Sequence, residues 1–477
     1  MVFSKNKSIT KKEDISRWYT DICLKTGLIN YSAAKGFLIY NPYGFAIWEK
    51  IKDYLNVILK NSGHENVYMP VVIPETLFNK EKQHVNGFAP ETLIATIGGN
   101  KKLNEQLIIR PTSEALFSDF YSKTITNYHD LPKLYNQWCS VVRWEKTTRP
   151  FLRGNEFLWQ EGHTVHINEK EAKKEVLDII NIYNNLGKEL LAIPFIVGKK
   201  SEKEKFAGAL ETLTIESLMP DGKFLQCGTS HYFGQNFSNA FNIKFLDKDN
   251  KLKKPFQTSW GVSTRLIGAV IMTHGDNNGL ILPPKIAPIQ VIIIPIKNEK
   301  KILSKAKKYE IALKKINIST KIDQTDHSPG WKFAEWEMKG VPIRIVIGNE
   351  ELKKKEILAV KRNDNKKVLL KEKELIKKIP FLLDLIHKEM FEKALKYLNE
   401  RKIEVKTKKE FLKAINNNNY AYAFWCGNNE CEENIKNISN ASLRCIPFDN
   451  KTENIQNNHC FYCNKKAKHK AIFAKSY

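Results

Sequence analysis

The chain has 477 residues, 42% hydrophobic and 27% charged, the balance of a globular protein with room for about two to four domains. No apolar run is long enough to span a bilayer, and the stretch Met1–Trp18 lacks an apolar signal core. This argues against a membrane or secreted protein and predicts a cytosolic one. The formal charge of +25 favours a polyanionic partner such as nucleic acid, although only ten of the 77 basic residues are Arg. A Lys excess beside many Asn and Ile is also what an A+T-rich codon bias yields.

In chain order, "NPYGFAIWEKIKDYLNVILKNSG" reads as an amphipathic helix, with Trp48, Ile51, Leu55 and Ile58 at three- and four-residue steps and Gly63 as a stop. "ENVYMPVVIP" reads as a strand that places Pro70 where no ladder donor is needed. Five long runs follow: "QLIIRP", "LYNQWCSVVRWE", "NEFLWQEGHTVHI", "KFLQCGTSHYF" and "FQTSWGVSTRLIGAVI". They are rich in Thr, Trp, Phe and Val and mostly lack crossover helices, which predicts an antiparallel sheet with helices on one side. After "LPPKIAPIQ" short apolar strands alternate with helices: "VIIIPI", "KKILSKAKKYEIALKKIN", "STKID", "WKFAEWEMKG", "PIRIVIG". That pattern predicts a small α/β domain with a partly parallel sheet. "KRNDNKKV" marks a hairpin turn, a Lys/Glu-rich helix starts near Pro380, and "NNNN" at 416–419 reads as a polar linker. The expected class is α+β, divided into residues 1–284, 285–385 and 386–477.

The run "RWEKTTRPFLRGNEFLWQEGH", from Arg143 to His163, carries the chemistry. A guanidinium grips a phosphate through two parallel bonds and stabilises charge as it shifts between oxygens. An aromatic face at Phe157 can stack a purine, and Glu145 can accept from an exocyclic amine. The run can therefore hold an adenine nucleotide without a glycine-rich loop, and neither GxxxxGK[ST] nor GxGxxG occurs in the chain. Alternating Arg and Glu on a strand pair is also the ordinary pattern of a solvated, salt-bridged face.

"RWE…RGNEF" resembles motif 2 of the class II aminoacyl-tRNA synthetases. "VYMPVV" resembles motif 1, with Pro70 at the dimer-forming turn, and "GVSTRLIG" resembles motif 3. More narrowly, "RPTSEALF", "VVRWE", "FLWQEGHT", "QCGTSHYFGQNF" and "TSWGVSTR" are together similar to the prolyl-tRNA synthetase family in its archaeal and eukaryotic-like form. The likeness extends to the final "FAKSY". It implies ATP-dependent attachment of L-proline to tRNA(Pro) by way of prolyl-adenylate, in a homodimer that uses Mg²⁺. It also implies a class II sheet, then an α/β anticodon-binding domain, then a zinc-binding α+β domain.

The resemblance assigns Thr112 and Glu114 to the proline ammonium, and Arg143 to the proline carboxylate or α-phosphate. Thr112-Ser113-Glu114 could equally cap the helix that follows. Trp159, Glu161, His163 and His231 match the proline pocket; their plainer reading is a packed strand interior. Glu145, Arg153, Phe157, Gln226, Thr229, Ser263 and Arg265 match nucleotide contacts, Arg265 on the γ-phosphate, with Arg143 and Arg265 as the catalytic pair. Cys227 is expected to be pocket wall, since adenylation needs no covalent enzyme intermediate. The chain departs from the family at Gly154 and Asn155, which replace a hydroxyl and a guanidinium, and at "GNEE" (348–351). About a hundred residues separate Phe157 from Arg265, too few by resemblance for the editing domain of the bacterial form.

Cys426-x4-Cys431 and Cys460-x2-Cys463, roughly 30 residues apart, have the spacing of a tetrahedral Cys₄ zinc site. Four thiolates leave no open position for water, so the zinc is expected to be structural. Cys445 reads as buried packing. By resemblance Tyr477 reaches toward the catalytic domain. A zinc-ribbon nucleic-acid-binding protein would account for charge and cysteines but leaves the first 280 residues unexplained. A non-charging paralogue should have lost Arg143, Arg265 or the Thr112/Glu114 pair.

Overall fold

The computed structural model describes residues 9–84, 91–448 and 455–477. Residues 1–8, part of the stretch without a signal core, lie outside them. An 11-stranded sheet dominates. Its central part is antiparallel: β1 (Lys133–Val142), β2 (Glu156–His166), β3 (Ile196–Lys199), β4 (Glu211–Leu218), β5 (Phe224–Gly234) and β6 (Phe256–Ser263). They stand in the order β3-β4-β5-β6-β2-β1, and the edge strand Glu65–Asn66 pairs in parallel with β1.

The first expected helix, α1, spans Pro42–Asn61; Pro42 stands at its first turn and Gly63 takes φ +91 just beyond its end. Its buried stripe is Ile47, Trp48, Ile51, Leu55 and Leu59; Leu59 takes the place expected for Ile58, which is half-buried. "ENVYMPVVIP" is not one strand. It breaks into Glu65–Asn66 and Val72–Pro74, because Pro70 offers no N–H and Met69 N–H donates to the Gln137 side chain instead of a ladder (2.9 Å). Next come α2 (Glu114–Thr124) and α3 (Glu169–Leu186). Helix α3 buries Val176, Ile179, Ile180 and Tyr183, and Tyr183 OH reaches through the layer to Gln160 Oε1 at 2.6 Å. Helix α4 (Arg265–His274) is buried almost throughout, as its apolar sequence requires.

The second unit is a five-stranded sheet in the order β8-β7-β9-β10-β11: β7 (Val291–Pro295), β8 (Thr320–Ile322), β9 (Ile343–Ile347), β10 (Glu356–Lys361) and β11 (Lys367–Lys371). The pairs with α5 (Lys300–Lys315) and α6 (Pro329–Met338) between their strands are parallel and the two hairpins antiparallel, the expected mixture. The long helix α7 (Leu375–Glu400) carries Pro380 in its second turn and runs unbroken through residues 385 and 386.

The third unit holds β12 (Lys402–Val405), α8 (Lys408–Asn416), β13 (Tyr420–Trp425), α9 (Asn429–Ser439), β14 (Ser442–Pro447) and β15 (His469–Ala474). Strand β14 pairs with β3, so this unit extends the sheet of the first unit instead of hanging from a linker. The "NNNN" run is the tight turn from α8 into β13, with Asn418 left-handed at φ 56.

Candidate active site

Alternation along β2 puts Phe157, Trp159, Glu161 and His163 on one face, while Gln160 on the other meets α3. The register then sets their neighbours. Glu161 stands opposite Gln137 of β1 and Gly261 of β6. The next row runs His163, Ser259, His231, Thr212 across β2, β6, β5 and β4. On β5, Gln226 and Thr229 are three residues apart and would ordinarily face opposite ways. A bulge against β4 at Cys227 absorbs the odd residue, and both reach the same cavity.

That cavity, of about 260 Å³, is lined by Thr112, Glu114, Arg143, Phe157, Trp159, Glu161 and His163 from α2, β1 and β2. Gln226, Thr229, His231, Ser263 and Arg265 complete it from β5, β6 and α4. Glu145 and Arg153 are not in its wall. They pair at 3.7 Å on the β1–β2 loop, with side chains 33% and 47% exposed, a solvated pair worth little to stability.

The floor is a buried polar network. Glu161, 2% exposed, accepts from Ser113 Oγ (2.6 Å), Gln137 Nε2 (2.5 Å) and His163 Nε2 (2.8 Å). Burial opposes its charge, but the His163 contact, then Ser113 and Gln137, outweigh it and hold the carboxyl below its ordinary range. His163 stacks on Phe117 at 4.2 Å. Thr112 Oγ1 donates to Glu114 Oε2 and Ser259 Oγ to Glu114 Oε1, the latter at 3.1 Å. Ser113 stands at the N-cap position of α2 but makes no side-chain cap bond; its hydroxyl is committed to Glu161. Burial, with His163 nearby, pushes His231 down to about 3, so its ring is neutral. Trp159 Nε1 is held by Cys139 Sγ at 3.2 Å.

The guanidinium side faces this floor. Arg143 Nε donates to Pro111 O (3.0 Å), and its charge lies 5.4 Å from the Phe157 ring and 5.5 Å from that of Trp159. Arg265 is held by Gln226 O (3.0 Å) and Leu152 O (3.3 Å). Burial lowers the pKa of both; like charges at Arg143 and Arg153 depress Arg265 further, and carboxylates at Glu114, Glu161 and Glu145 partly restore Arg143. Two buried guanidinium groups lining one cavity are arranged for an anion. Cys227 is a buried wall whose thiol is pushed far up by desolvation, as expected for a residue that is no nucleophile.

Asn155, one of the departures, is a strap. It is 4% exposed; its Oδ1 accepts from Glu145 N–H (2.9 Å) and its Nδ2 donates to Lys35 O (3.2 Å). In "GNEE", Glu351 Oε2 accepts from Gly348 N–H at 2.9 Å and so caps a helical turn.

The four C-terminal thiols come together, with all sulfurs within 4.8 Å of one another, Cys431–Cys460 at 3.7 Å and Cys426–Cys463 at 3.6 Å. A tetrahedron of Zn–S bonds of about 2.3 Å has edges of about 3.8 Å, so the donor set fits zinc. Gly427 (φ +78) turns the chain after Cys426, and Asn428 caps α9 by accepting from Cys431 N–H at 3.3 Å. Cys445 is buried. Tyr477 OH donates to Asp221 Oδ2 at 2.8 Å, and its ring lies 5.6 Å from the Arg149 guanidinium of the β1–β2 loop.

Ser113, Gln137, Ser259, Thr212, Glu204 and Phe206 also belong to this site, and sequence reasoning missed them. Ser259 was within reach, two and four residues before Gly261 and Ser263 on the same face of β6. Nothing local marks Glu204 or Phe206.

An antiparallel sheet with guanidinium groups converging above a polar floor defines a class II aminoacyl-tRNA synthetase. The family model described as tRNA synthetase class II core domain (G, H, P, S and T) matches residues 97–274. Those described as Anticodon binding domain and as Prolyl-tRNA synthetase, C-terminal, match residues 290–382 and 408–477. The chain is 52% identical over 467 residues to a proline–tRNA ligase of Clostridium novyi (strain NT), covering 98% of this chain and 97% of that one. It is 51% identical over 475 residues to proline–tRNA ligase 2 of Bacillus cereus (strain ATCC 10987 / NRS 248), covering 99% of each. The chain belongs to the prolyl-tRNA synthetase family.

Proposed function

We propose that the cavity between Arg143, Arg265 and the Glu161–His163 floor is where this chain, a proline–tRNA ligase, activates proline with ATP before passing it to tRNA. The observation that carries the reading is the convergence of two guanidinium groups, from the end of β1 and the start of α4, over carboxylates suited to a small ammonium.

Glu114, with Thr112 and Ser259 on its two oxygens, receives the secondary ammonium of proline, which has two N–H donors. Trp159, Glu161, His163 and neutral His231 shape and floor the ring pocket. Phe157 lies under adenine, with Gln226 and Thr229 beside the nucleotide and Ser263 supporting Arg265, whose backbone N–H donates to its hydroxyl at 3.2 Å. Glu145 and Arg153 exchange their weak mutual contact for the adenine amine and a phosphate.

A carboxylate oxygen of proline attacks the α-phosphorus as the bond to the bridging oxygen breaks, giving prolyl-adenylate and pyrophosphate. Arg143 and Arg265 stabilise the charge that builds on the phosphate oxygens, an electrostatic task needing no protein nucleophile. A ribose hydroxyl at the tRNA terminus then attacks the activated carbonyl, and AMP leaves. Mg²⁺, when bound with ATP, would offset charge on the phosphate oxygens. Cys426, Cys431, Cys460 and Cys463 would hold a structural Zn²⁺.

The division at 284 and 385 belongs to the same proposal, with α7 shared by the second and third units. A second copy would cover Tyr68, Val71, Ile94 and Ile97, which are 70%, 43%, 44% and 64% exposed around the motif 1 region. Sedimentation equilibrium tests the dimer. The reading also puts the chain in the cytosol with its tRNA; no helix of the described residues is long and apolar enough to cross a membrane. Proline-dependent ATP–pyrophosphate exchange, run beside alanine and cysteine, is the direct test. Exchange as fast with alanine as with proline would refute the assignment of the pocket.

A further inference from the structure

Residues 200–210 join β3 to β4 and carry two residues of the cavity wall, Glu204 and Phe206. The Phe206 ring lies 4.6 Å from that of His231. Its N–H donates to Thr212 Oγ1 at 3.0 Å, and the same hydroxyl is bonded to His231 Nδ1 at 2.9 Å. The loop therefore closes the amino-acid end of the site.

The foot of the loop stands on the C-terminal unit. Ser201 is 3% exposed, and its hydroxyl donates to Glu432 Oε1 at 2.9 Å while accepting from Glu204 N–H at 3.2 Å. Glu432 is also 3% exposed and directly follows Cys431 in the first turn of α9. One residue earlier in the loop, Lys200 Nζ is buried against Glu216 Oε1 (2.7 Å) and Arg444 O (2.8 Å). Lys203 pairs with Glu433 on the outside. The β3–β14 pairing makes the two units one sheet, so the strands on either side cannot shift independently. Phe206 has its own bond to Thr212, whereas the bond that fixes Glu204 shares the Ser201 oxygen with the bond to Glu432.

We propose that Ser201 and Glu432 are positioning residues for the amino-acid pocket. The strut from the first turn of α9 through Glu432 and Ser201 holds Glu204 and Phe206 against His231. Closure of the thiolate cluster, by fixing that turn, sets the affinity for the amino acid and leaves the nucleotide end alone. The proposal rests on reading the cavity as the proline site.

The test uses the full chain with S201A, E432Q and, as a pocket control, H231A. Removing the Ser201 hydroxyl leaves the buried Glu432 Oε1 and the Glu204 N–H without their shared partner, so S201A should raise the proline KM roughly 10-fold, with ATP KM and kcat within about twofold of wild type. E432Q keeps an acceptor oxygen and should stay within about twofold for proline. Trypsin cleavage after Lys203 and Lys205 should accelerate in S201A, and in wild type stripped of metal by a chelator. An unchanged proline KM in S201A overturns the strut. So does a rise shared equally by proline and ATP together with a lowered Tm, since that marks a merely structural role. Unchanged cleavage after metal removal overturns the link to the thiolates. If H231A also leaves the proline KM unaltered, the pocket reading itself fails; if H231A raises it and S201A does not, only the strut fails.

Discussion

Replacement of Arg265 by alanine should nearly abolish adenylate formation while leaving the fold standing. Nε and Nη1 of Arg265 are engaged by Leu152 O and Gln226 O, and Nη2 makes no hydrogen bond among the described residues. Two bonds therefore aim the group, and on the proposed reading the third nitrogen serves the nucleotide. Removing one preorganised donor to a developing oxyanion costs about 100- to 1,000-fold in kcat. Arg265 also brings a full charge into a site where burial strengthens electrostatics, so a loss of about 1,000-fold, or ~4 kcal/mol, is expected in proline-dependent pyrophosphate exchange. The two carbonyls lose their partner, so a modest fall in Tm is expected without loss of cooperativity. Arg265→Lys keeps the charge but lacks the fork and cannot satisfy both carbonyls, so it should fall between, about 10- to 100-fold down. Exchange within threefold of wild type in a folded Arg265→Ala protein would refute the assignment of the phosphate end.

Glu161→Gln leaves Ser113, Gln137 and His163 sharing one acceptor oxygen, so the proline KM should rise at least 10-fold with little change for ATP, measured by the same exchange assay. Gly162 pairs with Trp260, and a Cβ there would come within 2.1 Å of the indole; Gly162→Ala should cost about 3 kcal/mol or more, read from chemical denaturation. Burial pushes His231 and His274 down to about 3 and His166 to about 4, so these rings take protons in the unfolded chain before they do in the fold. Their contribution is complete above about pH 6.5 and declines as pH falls toward 4, by up to about 1.4 kcal/mol per pH unit for each; a Tm flat between pH 6.5 and 4.5 would contradict it. Metal analysis should find one zinc per chain, and Cys460→Ser should lower occupancy and loosen α9 to proteolysis.

Much of this molecule is written locally. The period of two along β2 puts Phe157, Trp159, Glu161 and His163 on one face, and the period near 3.6 in α1, α3 and α5 marks their buried stripes. Cysteine spacing marks two close thiol pairs of the kind that serve a tetrahedral ion. These are short-range consequences of backbone geometry, so the order of residues suffices. Cross-strand register is different. That His163 neighbours Ser259 and His231, or that Glu161 takes its bonds from Ser113 and Gln137, depends on strands far apart in the chain being laid side by side without a slip. A bulge at Cys227 reverses the facing of everything beyond it, and no local pattern announces that. The exposed pairing of Arg153 with Glu145 and the conversion of Asn155 into a strap were decided by how the β1–β2 loop folds back beside Lys35, and the standing of Ser201 on Glu432 by the third unit docking edge-on to the first. Sequence determines which groups are available and which way each element presents them. Tertiary structure decides which of them share a cavity, because that choice is made by long-range packing and by the need of every buried polar group for a partner.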